Sequence, residues 1–274
     1  MSKEIIPIFT SDASLGKAIL TTDEAKDIKE DAPVSIFSIA KVHLTDKIFL
    51  CENSFVSFNA AYRNAAKLNK QLIFGIKFII TKDPLNKEDR SKLSDSNVIV
   101  WMKNSDGYKD LIKLYTAIHG NPDNYFWSKF DFKAFYRGTW KILQEHVTDN
   151  LMLTIPFYDS FLHKNLLTYG AMAVPEFGKL KPIFFLEEHE LPFDGLLREF
   201  VINYCKSHEY DAIETHFCYY YNDCDSKAFQ VFKCIDNREK YEKPNMEYFG
   251  QPTFSFESYL NKIVNQDLNI FGGE

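Results

Sequence analysis

The chain has 274 residues, 45% hydrophobic and 26% charged, and a formal net charge of -6. That is an ordinary globular composition, which excludes disorder over most of the length. The acidic balance excludes a surface built to neutralise many phosphates, so nucleic acid is not expected as a direct high-affinity ligand, although a local basic groove stays open.

Ile5 to Phe9 reads as a short strand interrupted by Pro7, followed by turn residues Thr10, Ser11 and Asp12. The charged stretch from Thr21 to Ala32 reads as a solvated face or an interaction segment. Val34 to His43 predicts a short helix, and Lys47 to Cys51 a second strand. Residues 54–69 place Phe55, Val56, Phe58, Ala61, Tyr62, Ala65 and Leu68 at helical spacing. Gln71 to Ile80 follows, an apolar run too short for a membrane span and rich in β-branched and aromatic residues; it predicts a strand buried on both faces, as in a parallel sheet. Lys77 is its anomaly, because a buried ammonium must reach water or a carboxylate.

After a polar stretch, Val98 to Met102 predicts a fourth strand. Asn104-Ser105-Asp106-Gly107 then starts a helix with Leu111, Ile112, Tyr115 and Ile118 inward. A helix is expected over Phe132 to His146, a strand over Leu151 to Ile155, and a helix over Tyr158 to Leu167. Pro182 to Leu186 reads as a strand and Phe193 to Cys205 as a helix with Leu196, Leu197, Phe200, Val201 and Tyr204 inward. Ala212 to Tyr219 reads as the last strand and Ser226 to Ile235 as the last helix, with residues 236–274 an irregular extension packed on the rest. Seven strand signals alternating with helical patterns predict one α/β domain, a parallel barrel or open sheet, with no dividing linker.

Motifs that carry chemistry are sparse. Gly16-Lys17 lacks the rest of a phosphate-binding loop. Glu187, Glu188, His189 and Glu190 offer good metal ligands, but consecutive side chains diverge, and a solvated loop is the simpler reading. His216 reads as a hydrogen-bonded structural histidine and Cys218 as a buried inert thiol. The five cysteines have no zinc spacing and fit reduced thiols in a cytoplasmic protein. No long apolar segment opens the chain, so neither a signal peptide nor a membrane anchor is expected.

Several segments, taken in order, resemble the PHP (polymerase and histidinol phosphatase) domain of the bacterial DNA polymerase III alpha subunit. Leu50-Cys51-Glu52-Asn53-Ser54 sits where that family has Leu-Thr-Asp-His-Gly, and Ile73-Phe74-Gly75 falls on its Ile-Ile-Gly-Cys-Glu strand. Met102-Lys103-Asn104-Ser105-Asp106-Gly107-Tyr108-Lys109-Asp110-Leu111 is similar to Ala-Lys-Asn-x-x-Gly-Tyr-x-Asn-Leu. Phe185-Leu186-Glu187, Leu191-Pro192, Lys233-Cys234-Ile235 and Lys243-Pro244-Asn245 resemble its later pieces. The resemblance runs from about Ile5 to Tyr259 and implies a distorted seven-stranded (β/α)7 barrel over residues 1–274. In active members, His, Asp, Glu and Cys at the strand ends hold divalent metals that cleave phosphoesters.

Carried over position by position, those ligands are missing. The opening His-x-His falls on Pro7 and Phe9, and the following Asp on Gly16. The turn places Glu52 where the family has Asp, and Asn53 where it has His. The strand Glu becomes Lys77, a cation where the metals would sit, with Glu52 a candidate partner. The next His falls on Asn97, the Cys near Phe157, and the late Asp-x-His on Phe217 and Tyr219. Rings, an amide and an ammonium do not make a hard-cation cage. The resemblance therefore implies a pseudo-enzyme without cofactor. Such a module would dock a replication protein in the cytoplasm of a bacterial or phage-infected cell: a separately encoded or host DNA polymerase, or a proofreading exonuclease. The alternative is a metal-dependent phosphoesterase or 3′-5′ exonuclease with relocated ligands. Polymerase palm residues are not found, which fits a stand-alone, phage-encoded copy.

Overall fold

The computed structural model describes residues 4–271 except 15, 30–31, 45, 130–131, 168–172 and 238–250. The strands are β1 (Ile6–Phe9), β2 (Lys47–Glu52), β3 (Gln71–Thr81), β4 (Ser96–Met102), β5 (Tyr125–Ser128), β6 (Lys133–Thr139), β7 (Leu151–Ile155), β8 (Ile183–Leu186) and β9 (Ala212–Cys218). The helices are α1 (Ile36–His43), α2 (Phe58–Lys67), α3 (Ser105–His119), α4 (Trp140–His146), α5 (Phe161–Leu167), α6 (Asp194–His208), α7 (Ser226–Asn237) and α8 (Phe256–Phe271). The strands pair in the order β2-β1-β9-β8-β7-β4-β3-β6-β5, and a further β2–β3 pairing closes seven of them into a barrel. Of the two arrangements that the strand count leaves open the chain takes the closed one, a distorted seven-stranded α/β barrel as the resemblance implies.

Parallel pairing is broken at two places: β5 and β6 form an antiparallel pair, and β4 runs antiparallel to both β3 and β7. A parallel return needs a long crossover, usually helical. Between β3 and β4 the chain offers only a 3-10 turn at Asp89–Ser94, so it comes back antiparallel. Among the described residues no helix is long and apolar enough to cross a membrane.

The chain divides into two compact units, residues 1–74, 188–191 and 214–274 in one, and 75–187 and 192–213 in the other. In the first unit β1 lies parallel between β2 and β9. Phe9 stands opposite Leu50 and Cys218, and Ile8 opposite Phe49 and Phe217. Residues in register share a sheet face, so these two sets point to opposite sides. The Phe9 side meets Phe256 of α8, ring centroids 5.7 Å apart, and Phe256 in turn meets His43 of α1 at 5.4 Å. Helix α8 lies within the extension expected to be irregular. Ser255 starts it, its Oγ accepting the Ser258 N–H at 2.8 Å, and Phe256 and Tyr259 are buried at helical spacing. Residues 238–250 of that extension lie outside the described residues.

In the second unit β3 is not buried on both faces. Ile76, Phe78 and Ile80 are buried, while Lys77 and Ile79 are half-buried. Phe78 meets Tyr115 and His119 of α3. On the other face Gly75 lies under the Trp101 ring, where a Cβ would approach Trp101 Cε3 to 2.5 Å. Trp101 is fixed there by its indole N–H, which donates to Thr154 Oγ1 at 2.9 Å. Helix α3 starts as expected, with Asn104 accepting the Gly107 N–H at 2.9 Å. The buried stripes are narrower than the periodicity predicts: Ile112 on α3 and Leu196 and Phe200 on α6 are exposed, while Leu197, Val201 and Cys205 are buried.

The helix expected over Phe132 to His146 is half strand. Lys133–Thr139 is β6, paired with β5 and β3, and Thr139 caps α4 by accepting the Ile142 N–H. Arg137 explains the difference. It is fully buried, its guanidinium 3.9 Å from the centre of the Phe126 ring. Nη1 donates to Ser91 Oγ at 2.8 Å and reaches Asp95 Oδ1 at 3.4 Å, and Nη2 donates to Asn86 O. The cation thereby fastens the 86–95 connection to the sheet. Burial holds the Asp95 carboxyl above its usual range and the Arg137 guanidinium below its own, in each case against the attraction of the partner. Such a pair contributes more to where the connection lies than to net stability. Arg137→Met, which strands Asp95, is expected to cost about 3–5 kcal/mol in urea denaturation, and adding Asp95→Leu to recover most of that loss. A loss under about 1 kcal/mol would show that the pair does not anchor this connection.

Candidate functional site

In the first unit the feature with chemical potential is Glu52, the last residue of β2, 2% exposed. Strand and loop bring three donors to its carboxylate: the Ser11 N–H at 3.2 Å, the Ser11 hydroxyl at 2.5 Å and the Ser14 hydroxyl at 3.1 Å. Ser57 is buried beside them and also favours the ionised form, although its Oγ makes no bond of normal length. Burial outweighs these donors and pushes the Glu52 carboxyl up to about 6. An acid so placed can exchange a proton near neutral pH, and its oxygens are already engaged by the protein's own hydroxyls.

The neighbouring positions have structural explanations. Asn53 is exposed, and its N–H reaches Ser14 Oγ at 3.5 Å. Gly16 has φ +70°, and a Cβ there would come within 2.5 Å of Asp236 Cβ, so the backbone itself requires glycine. Pro7 pairs with His216, which puts Pro7 and Phe9 on one sheet face and Phe217 on the other. The positions taken from the opening and closing motifs of the resembled family therefore do not converge here. Tyr219 is half-buried and stacks on Phe229, ring centroids 5.4 Å apart and 9° from parallel.

Two residues of the expected solvated loop are instead buried: Glu187 is 2% exposed and His189 has no exposure. His189 Nδ1 lies 2.8 Å from Thr253 O and its ring stacks on Phe254. Residues 251–254 supply this cover, and because they lie far along the chain no local pattern announces it. His216 is the hydrogen-bonded structural histidine expected, its Nε2 3.0 Å from Ser255 O. Cys218 is fully buried, and none of the five cysteines is in a disulfide.

In the second unit Lys77 stands opposite Ile99, and Asn97 opposite Ile79. The Asn97 N–H donates to Asp159 O at 3.0 Å, and Phe157 is fully buried. A cluster that sequence reasoning missed follows β7. The Tyr158 hydroxyl donates to Asp194 Oδ1 at 2.8 Å, and His163 Nδ1 accepts the Asp159 N–H at 3.1 Å. That leaves the His163 proton on Nε2, which is buried without an acceptor, and burial holds the ring below its usual pKa. Asp194 opens α6, as an acid suits a helix N-terminus, and only the tertiary fold joins it to Tyr158. Among the described residues no three His, Cys, Asp or Glu side chains converge as a metal site.

The raised pKa of Glu52 fixes the sign of a pH effect. A carboxyl whose folded pKa lies above its ordinary 4.5 stabilises the fold fully below that value, and this contribution is lost as pH rises through about 6. Relative to Glu52→Gln, the native protein should lose about 1.5 kcal/mol of unfolding free energy between pH 4.5 and 6.5. Equal pH slopes for the two proteins in urea titrations would contradict the assignment.

No protein-family model matches this chain, and no curated protein matches it.

Proposed function

We propose that the chain is a non-catalytic docking module of a DNA replication machinery, engaging a polymerase or a proofreading exonuclease subunit. The identity of the partner rests on the resemblance to the PHP domain of the replicative polymerase, and the seven-stranded α/β barrel is the architecture which that resemblance implies. The observation that carries the non-catalytic half is the occupancy of the positions where that family holds cations. Phe9 and Phe157 are fully buried, Phe217 is 3% exposed, and the one carboxylate retained, Glu52, is taken up by Ser11 and Ser14. Aromatic rings have no lone pairs for a hard cation, and a carboxylate that already accepts three hydrogen bonds must give up some of them to bind one.

The test has two arms on the full chain. Tagged protein at native expression should recover a polymerase or exonuclease subunit, and recovery of no replication protein would overturn the docking half. With Mn²⁺ or Zn²⁺ and a chromogenic phosphodiester, native protein and Glu52→Gln should give the same background. Metal-dependent turnover that is lost in Glu52→Gln or Lys77→Met would establish the phosphoesterase alternative.

A further inference from the structure

We propose that residues 251–262 form a latch over the β9 side of the first unit, closed over the rings of His189 and His216 and released as a unit when His216 takes up a proton. The latch is held by backbone and side-chain bonds. The Tyr219 N–H donates to Phe254 O at 3.1 Å, the Phe256 N–H to Tyr220 O at 2.9 Å and the Glu257 N–H to Tyr221 O at 2.9 Å. Tyr220 donates its hydroxyl to Gln251 O, and Ser255 its hydroxyl to Asp223. Beneath the latch lie His189 and His216, ring centroids 4.7 Å apart.

Both ring nitrogens of His216 are committed. Nε2 faces the Ser255 carbonyl at 3.0 Å, and a carbonyl only accepts, so Nε2 carries the proton. Nδ1 faces the Lys262 ammonium at 3.3 Å, which only donates, so Nδ1 must keep its lone pair. The ammonium also donates to Glu188 O. A proton on Nδ1 would meet the N–H bonds of a cation, and the ring cannot accept one while the latch is shut. Among the described residues His189, Lys262 and Tyr259 face the ring, and the nearest of these to Nδ1 is a cation that disfavours an imidazolium. Burial first, and then His189 and Lys262, hold His216 well below its ordinary value.

The sign follows. A histidine neutral when closed and ordinary when open stabilises the closed state above pH about 6.5, and that contribution is lost as pH falls, by about tenfold in the opening constant per unit. Local opening of a segment ahead of the rest is common in folded proteins. What opening would uncover includes Phe9, which Phe256 covers in the closed form. This inference is independent of the docking proposal, and either can fail alone.

Amide hydrogen exchange on the full chain, expressed as protection factors corrected for intrinsic rate, tests it between pH 7.5 and 5.5. The Phe256 and Glu257 amides should lose about tenfold in protection over that range, while amides of the β3–β4 ladder hold theirs. His216→Gln should abolish the slope. Should that variant not fold, Lys262→Met decides: it should lower protection at pH 7.5 and flatten the slope. Latch amides that follow the β3–β4 amides at every pH, or a slope unchanged in these variants, would overturn the proposal.

Discussion

A carboxyl group held out of water by serine hydroxyls sets the terms for the first unit. Glu52 ends β2, and its oxygens tie that strand to the loop leaving β1 through Ser11 and Ser14. An unsatisfied carboxylate at 2% exposure would be prohibitive, whereas one with several donors is tolerated at the cost of a raised pKa. The bonds that make burial tolerable also use the lone pairs that a cation would need. One geometric fact thus governs the local fold, the proton affinity and the chemistry that the strand end can offer.

The barrel is filled in the same spirit. Gly75 is small because Trp101 lies on it, Trp101 stays there because Thr154 takes its N–H, and Gly16 is required by its positive φ and the nearness of Asp236. Arg137 and Asp95 hold a polar connection against the sheet at an electrostatic cost. Each of these groups is spent on structure.

The seven barrel strands were legible because each is an apolar or β-branched run bounded by turn chemistry, and a strand inside a barrel needs little more. The β5–β6 hairpin was not legible, since Phe135, Trp140 and Leu143 mimic a helical stripe and the buried Arg137 reads as a solvent-facing charge until Asp95 and Phe126 surround it. The antiparallel course of β4 lies in the lack of a helical crossover rather than in β4 itself. Helix α8 was hidden behind Pro244, Gly250 and Pro252, although its own apolar spacing is regular. Of the candidate site, Glu52 could be found from its place at a strand end, but its serine partners could not. Sheet register, which separates Phe9 from Phe217, is invisible without the neighbouring strands. His189 and the Tyr158–Asp194 pair depend on contacts distant in sequence.

The central proposal is that Glu52 serves the protein's own hydroxyls and a proton rather than a metal. Carbon-13 NMR of the glutamate side-chain carboxyl carbons, assigned through Glu52→Gln, would read this directly. The account predicts a Glu52 titration centred at about 6 that millimolar Mg²⁺ or Zn²⁺ leaves in place. A midpoint at the ordinary glutamate value, or a resonance that shifts on adding the metal, would contradict it.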